Sequence, residues 1–230
     1  MKIAVISDIH SNLDALNAVI EDAKKTADGY FCLGDIVGYG AEPNETIETL
    51  ININFLSGIA GNHDLASLDG NFTKFKTPHG HKAIKWTHET LSEPARSFLK
   101  NSLAGPGYFS NYGFFAYHGG PKDHIWQYIF PSTPLCETGL DVIGKRGDII
   151  FIGHSHLQFF FSTPCGKTII NPGSVGQSRN GTARAHYVIF DSETKGFEFK
   201  SAAYDVKSAA AKIIEAGLDQ FLAQRLYLGI

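Results

Sequence analysis

Five short stretches hold the residues most able to do chemistry: Asp8-Ile9-His10, Gly34-Asp35, Gly61-Asn62-His63-Asp64, Tyr117-His118-Gly119 and Gly153-His154-Ser155-His156. Each follows an apolar run, and glycine stands beside four of the five, where the chain can turn sharply and approach a ligand closely. Asp8 and His10 lie two apart, as do His154 and His156, so on extended backbone each pair projects to one side as a two-toothed ligand. Taken singly the stretches say little: Asp8-x-His10 reads as a helix-capping turn and His118 as a core histidine. Taken together, two carboxylates, an amide and four imidazoles at the ends of apolar strands would leave several buried polar groups unpaired, at about 1–3 kcal/mol each. A pair of divalent ions satisfies all of them, so the expected chemistry is that of a dinuclear metal centre.

The elements that must position these groups follow from periodicity. Lys2 to Ser7 is a β-branched run suited to a buried strand, and from Asn12 the residues Leu13, Leu16, Val19, Ile20 and Ala23 recur at helical spacing behind an N-cap candidate. Tyr30 to Leu33 reads as a second strand, Glu42 to Asn52 as a helix opened near Pro43, and Asn54 to Ile59 as a third strand. This β-α-β-α-β order predicts a parallel sheet with its ligand groups at the C-terminal ends of the strands. Leu65 to Leu103 reads as helical, Gly107 to His118 as a hairpin turning near Asn111 to Gly113, and Gly119 to Pro134 as irregular. Further strands are expected at Ile149 to Gly153, Gln158 to Ser162, Lys167 to Ile170, Tyr187 to Asp191 and Phe197 to Ala202. Helices are expected near Val206 to Ala216 and Asp219 to Leu226, broken at Gly217. The expected fold is α/β: a two-layer β-sheet sandwich core flanked by helices, one domain over residues 1–230, with helical segments 65–103 and 205–230 as appendages.

Composition narrows the partners. Of 230 residues, 20 are basic and 23 acidic, a net charge of −3, which excludes a polybasic nucleic-acid coat, an acidic tail and a disordered chain. Cys32, Cys136 and Cys165 are too few and too widely spaced for a disulfide framework or a thiolate zinc site. No run approaches the roughly 20 apolar residues of a membrane span, and Met1 to Ile6 lacks the features of a signal peptide. A cytoplasmic protein acting on a small substrate is expected, with neither a membrane nor an extended nucleic-acid surface as partner; its oligomeric state is not legible.

In their order, the five stretches resemble the signature of the calcineurin-like metallophosphoesterase superfamily. The later Asn171-Pro172-Gly173-Ser174-Val175-Gly176 run and the stretch from His118 to Asp123 resemble its small bacterial and archaeal phosphodiesterase-like branch. The resemblance implies that Asp8, His10, Asp35 and His156 hold one metal ion and Asp35, Asn62, His118 and His154 the other. A bridging Asp35 makes physical sense, because a carboxylate has two oxygens with which to span the ions and a neutral imidazole offers one lone pair. The nitrogen and oxygen donors favour manganese or iron, with zinc or nickel as alternatives. The function implied is hydrolysis of a phosphodiester, nucleotide-like or small, by in-line attack of a metal-bridged hydroxide. A dedicated base is then unnecessary: a metal lowers the pKa of water from about 15.7 to about 7, some 12 kcal/mol at about 1.36 per unit, against about 3–5 kcal/mol from a positioned base.

His63 is expected on extended backbone beside Asn62, pointing toward bound phosphate. The resemblance implies a general acid or phosphate clamp, with Asp64 fixing its tautomer. Asn12 stands between donating to phosphate and simply capping its helix. Trp126, Tyr128 and Phe130 read as a lid or as a stacking surface, and Arg179 and Arg184 as candidate contacts to a second phosphate. Phosphoprotein phosphatases of the superfamily carry an acid and an arginine shortly after Gly-Asp. Here Ile36-Val37-Gly38-Tyr39-Gly40 follows, without that arginine clamp for a phosphomonoester, which favours a diester or a nucleotide-type anhydride over a phosphoprotein. The alternatives are a phosphomonoesterase and a non-catalytic scaffold that retains the metal site.

Overall fold

Period-two alternation in the first strand requires a layer on each side of it. In the computed structural model, which describes residues 1–140, 149–164 and 166–230, β1 (Lys2–Ile6) turns Ile3 and Val5 to one face and Ala4 and Ile6 to the other. All four are fully buried, as a strand covered on both faces demands. The same alternation runs through β2 (Gly29–Cys32) and β9 (Ala185–Asp191): Phe31, Val188 and Phe190 join Ile3 and Val5, while Tyr30, Cys32, Tyr187 and Ile189 join Ala4 and Ile6. Cys165 lies outside the described residues; Cys32 is buried and Cys136 exposed, both as free thiols.

With β3 (Phe55–Gly58) and β10 (Phe197–Ala202) these strands form a five-stranded sheet in the order β10-β9-β1-β2-β3. β1, β2 and β3 run parallel, as the expected crossovers require, and β9 pairs antiparallel with β1 from Lys2↔Asp191 to Val5↔Val188. A second five-stranded sheet has the order β4-β5-β6-β8-β7, from β4 (Gly107–Phe109), β5 (Phe114–Ala116), β6 (Ile149–Phe151), β7 (Gln158–Ser162) and β8 (Thr168–Pro172). Phe114, Ala116, Phe151 and Ile170 of this sheet meet Ile3, Val5, Phe31 and Val188 of the first, making the sandwich core.

Helices cover the other face of the first sheet. α1 (Leu13–Ala23), α2 (Pro43–Asn52) and α5 (Glu93–Asn101) bring Leu16, Val19, Ile47, Leu50, Ala95 and Leu99 onto it. α4 (Pro78–Thr90) packs Ala83 against Ala209, Ile213, Leu222 and Leu226 of the helical pair α7 (Val206–Glu215) and α8 (Gln220–Leu228). The outer face of the second sheet is covered by Ile129, from a stretch without helix or strand, and by Leu140, which follows the short α6 (Leu135–Thr138). Among the described residues no helix is long and apolar enough to cross a membrane.

Three local expectations are corrected. The stretch 65–103, expected as helical with a second helix from Glu93 to Leu99, has that second helix as α5 but is interrupted before α4: α3 (Asn62–Asp69) ends at Gly70, and residues 70–77 form a loop. α3 also begins earlier than expected, so Asn62, His63 and Asp64 lie in the first turn of a helix and not on extended backbone. β8, expected to end at Ile170, runs on through Asn171 and Pro172, and the chain turns only at Gly173.

Candidate metal centre and substrate cleft

The parallel strands bring the chemical residues to one end of both sheets. Asp8 and His10 follow β1, Asp35 follows β2, and Asn62 opens α3 after β3; His118 follows β5, and His154 and His156 follow β6. The two paired motifs are not extended. Asp8, His10, Asp35, His154 and His156 have φ of 52°, 51°, 53°, 63° and 59°, the left-handed region that costs a non-glycine residue roughly 1–3 kcal/mol. Backbone bonds between neighbouring loops hold them there: Asp8 N–H donates to Gly34 O at 3.0 Å, His10 N–H to Asp35 O at 3.0 Å and Gly176 N–H to Asp8 O at 3.0 Å. The Asn171 to Gly176 segment is a buttress for these loops, with Asn171 Nδ2 donating to Gly153 O and Ser174 Oγ to Asp8 O.

The seven expected ligands converge and are all buried. His10 Nε2 lies 3.1 Å from His156 Nε2, and His156 Nε2 lies 3.2 Å from Asp8 Oδ1. On the other side, His118 Nε2 lies 3.1 Å from Asn62 Oδ1 and 3.2 Å from His154 Nδ1. Asp35 stands between, its Oδ2 3.7 Å from His10 Nε2 and 3.4 Å from His118 Nε2. Its Oδ1 accepts from His63 N–H at 2.8 Å, so one oxygen, and not one on each side, faces both groups.

The donor set fits divalent cations by a tautomer argument. His10, His118 and His156 each direct Nδ1 at a backbone carbonyl, of Val37 at 3.2 Å, Leu33 at 2.9 Å and Gln177 at 2.7 Å. A carbonyl only accepts, so each Nδ1 carries the proton and each neutral ring turns a bare Nε2 lone pair inward. Lone pairs facing one another and the unpartnered Asp8 Oδ1 at these distances repel unless a cation or proton lies among them. The titration behaviour has the same origin. His118 is pushed up to about 9: burial opposes its charge most, but the Asp35 and Asp8 carboxylates and the Leu33 carbonyl together outweigh burial, so without a metal cation a proton takes its inward Nε2 near neutral pH. Burial likewise opposes charge on Asp8 and Asp35, yet the neighbouring imidazoles, chiefly His156 and His118 respectively, hold both below the usual carboxylate range. Burial depresses His10 strongly and His63 to about 4.

Two expected roles change. Asp64 makes no hydrogen bond to the His63 ring: Oδ1 accepts from Ile36 N–H at 2.9 Å and Val37 N–H at 3.2 Å, and Oδ2 accepts from Gly61 N–H at 2.9 Å. It ties the loop after β2 to the start of α3. His63 is instead held by packing, against Tyr39 at 4.4 Å, His10 at 4.7 Å and Phe75 at 4.8 Å between ring centres. Gly38, at φ +96°, lets the backbone lie directly on His63 Nδ1, where any Cβ would overlap it. Asn12 spends both its polar atoms on structure, Oδ1 accepting from Ala15 N–H and Nδ2 donating to Gly176 O, so the capping alternative describes it.

The cluster opens into a cleft of about 520 Å³ whose walls include Tyr39, Lys74, Phe75, Trp126, Tyr128 and Arg179. Tyr128 stacks on the His154 ring with centres 4.0 Å apart, and Phe130 stacks in turn on Tyr128. Arg184 is elsewhere, bonded to Ser201. Sequence reasoning missed Tyr39, Lys74 and Phe75. A signal existed for the last two in the interleaved aromatic and basic residues of Phe72-Thr73-Lys74-Phe75-Lys76, which reading 65–103 as helical obscured.

A sequence profile of the calcineurin-like phosphoesterase superfamily domain matches residues 1–195. The chain is 40% identical over 250 residues to an uncharacterized protein of Methanocaldococcus jannaschii, covering 99% of this chain and 98% of that one. Among solved structures, a metallophosphoesterase from Sphaerobacter thermophilus matches with a TM-score of 0.85 and 30% identity, over 100% of this chain and 99% of that one. A hypothetical protein from Pyrococcus horikoshii OT3 matches with a TM-score of 0.82 and 23% identity, over 100% and 98% of the two chains, a likeness of fold.

Proposed function

Because the chain belongs to the calcineurin-like phosphoesterase superfamily and is a metal-dependent phosphoesterase, we propose that it hydrolyses phosphodiesters of a small, nucleotide-like kind at the histidine and carboxylate cluster. The observation that carries this reading is the convergence of bare imidazole nitrogens from both sheets around Asp35 Oδ2. Asp8, His10, Asp35 and His156 would hold one cation and Asp35, Asn62, His118 and His154 the other. Nitrogen and oxygen donors suit manganese or iron, with zinc or nickel as alternatives. Such ions supply Lewis acidity, activating water and neutralising charge on the phosphoryl oxygens.

The chain's own residues do the rest. The carbonyls of Leu33, Val37 and Gln177 fix three rings in the tautomer that presents Nε2, so no reorganisation is needed as charge develops. His63 lines the cleft beside the cluster; burial holds its ring neutral near pH 7, so it serves as a clamp donating a ring N–H to the phosphoryl group, and as a proton donor to the leaving oxygen only where the bound phosphate's charge raises it. The preference for a diester rests on the loop after Asp35, which presents neutral Tyr39 to the cleft where the superfamily's phosphoprotein phosphatases carry an arginine.

The test is turnover of bis-aryl and mono-aryl phosphates by manganese-loaded protein, beside Asp35→Asn and His63→Asn. The diester is expected to turn over faster, Asp35→Asn to bind fewer ions and lose turnover, and His63→Asn to lower kcat by about 10²- to 10⁴-fold. Faster monoester hydrolysis would replace the diesterase reading, and no turnover despite two bound ions would leave a binding scaffold.

A further inference from the structure

The cleft carries more positive charge than one phosphodiester needs. Lys74, Lys76 and Arg179 line it, whereas its carboxylate lining is Asp35, already turned toward the histidines. Lys76 is committed, its ammonium donating to Thr73 O at 2.7 Å. Lys74 and Arg179 have no carboxylate within 4.0 Å among the described residues. The Lys74 ammonium lies 4.7 Å from the centre of the Trp126 ring, and Arg179 Nε is buried with no hydrogen-bond partner. Arg225 adds a further cation nearby, its guanidinium 5.9 Å from the centre of the Tyr39 ring that shares the cleft wall with Arg179. Arg179 as a whole is half-buried, so its terminal N–H groups can face the cleft, while a buried Nε–H without an acceptor is costly until an anion completes it.

We infer that Arg179 and Lys74 form an anion subsite beside the histidine cluster, which takes a second phosphate carried by the substrate in addition to the ester being cleaved. A phosphodiester brings one negative charge, which the cluster's own cations meet; the second phosphate meets the two unpaired side chains. Arginine's planar fork binds phosphate through two parallel N–H donors, and lysine adds a point charge. Trp126 and the edge of Tyr128, whose faces His154 and Phe130 occupy, stand in the same cleft for an aromatic group attached to those phosphates. The substrate class is therefore an aromatic nucleotide bearing at least two phosphates. This inference rests on the proposed function for the position of the cleaved ester, but not for the anion subsite itself.

The test is calorimetric binding of adenosine monophosphate and of its non-hydrolysable methylene-bridged diphosphate analogue to manganese-loaded protein, wild type, Arg179→Gln, Arg179→Lys and Lys74→Gln. The wild type is expected to bind the diphosphate analogue at least tenfold more tightly than the monophosphate. Arg179→Gln and Lys74→Gln should each shrink that preference at least threefold, and Arg179→Lys should restore part of it, which a misfolded variant would not do. Equal affinity for the two ligands, or a preference that survives both glutamine variants, overturns the inference. So does an Arg179→Gln loss of affinity as large for adenosine monophosphate as for the diphosphate analogue, which would make Arg179 a clamp for a single phosphate. Binding needs no turnover: a preference without diester hydrolysis sinks only the diesterase reading, and diester hydrolysis without a preference sinks only the subsite.

Discussion

Asp64 shows how a single side chain can change its meaning between sequence and structure. Next to His63 it reads as the carboxylate that orients a catalytic ring, yet it accepts three backbone N–H groups, from Gly61, Ile36 and Val37, and makes no hydrogen bond to that ring. Burial and the nearby Asp35 charge push it up to about 7. In Asp64→Ala three buried donors lose their acceptor, at about 1–3 kcal/mol each, so a loss on the order of 3 kcal/mol or more is expected in urea unfolding of the metal-free protein. Had Asp64 merely fixed the tautomer of His63, stability would hardly change and kcat alone would fall; the two measurements together separate the roles.

At the scale of elements, the site is an agreement among loops at the ends of β1, β2, β5 and β6. The loop after β6 comes so close to the end of β1 that a Cβ on Gly153 would overlap Ser7 Oγ, the hydroxyl that donates to Asp8 Oδ2 at 2.6 Å. His154 N–H donates to the same oxygen at 3.1 Å. Gly153→Ala is therefore expected to displace Asp8 and His154 together and to weaken manganese binding at least tenfold in calorimetry, with the far-ultraviolet circular dichroism spectrum retained. Unchanged affinity would mean that the two loops do not set the ligand geometry. The left-handed backbone at Asp8, His10, Asp35, His154 and His156 belongs to this scale too, because the bonds between loops hold those angles in place.

Across the whole molecule, the first sheet and its helix contribute Asp8, His10, Asp35 and Asn62, and the second sheet contributes His118, His154 and His156. Ions held by both sheets stabilise only the assembled sandwich. At a concentration about 100 times Kd, one ion adds about 2.7 kcal/mol, which for a chain of this length raises Tm by on the order of 5–10 °C. Chelation should reverse the rise, and a Tm indifferent to metal would contradict a centre shared between sheets. A second global term comes from His186 on β9, which burial pushes down from 6.5 to about 4 and whose Nδ1 has no partner. The unfolded chain binds that proton more readily, so its contribution to stability is intact above pH 6.5 and falls as pH drops toward 4. His186→Gln should flatten the fall in Tm over that window, measured on metal-free protein; a slope equal to the wild type would assign the acid sensitivity to other groups.

Most of this protein was readable along the chain because its signals are local. Alternation in Lys2–Ile6, helical spacing after Asn12 and donor residues at strand ends depend on neighbours a few residues apart, and they placed the sheets, the helices and the seven buried donors. What the tertiary structure alone decided depends on partners distant in sequence. The carbonyls of Leu33, Val37 and Gln177 choose which imidazole nitrogen faces inward; the three N–H groups that claim Asp64 take it from His63; Asn12 is used up by Ala15 and Gly176. Lys74 and Arg179 meet at one cleft from loops more than 100 residues apart in sequence. A residue's type fixes what it can donate or accept, but only the folded chain fixes which of those capacities is left over for a ligand.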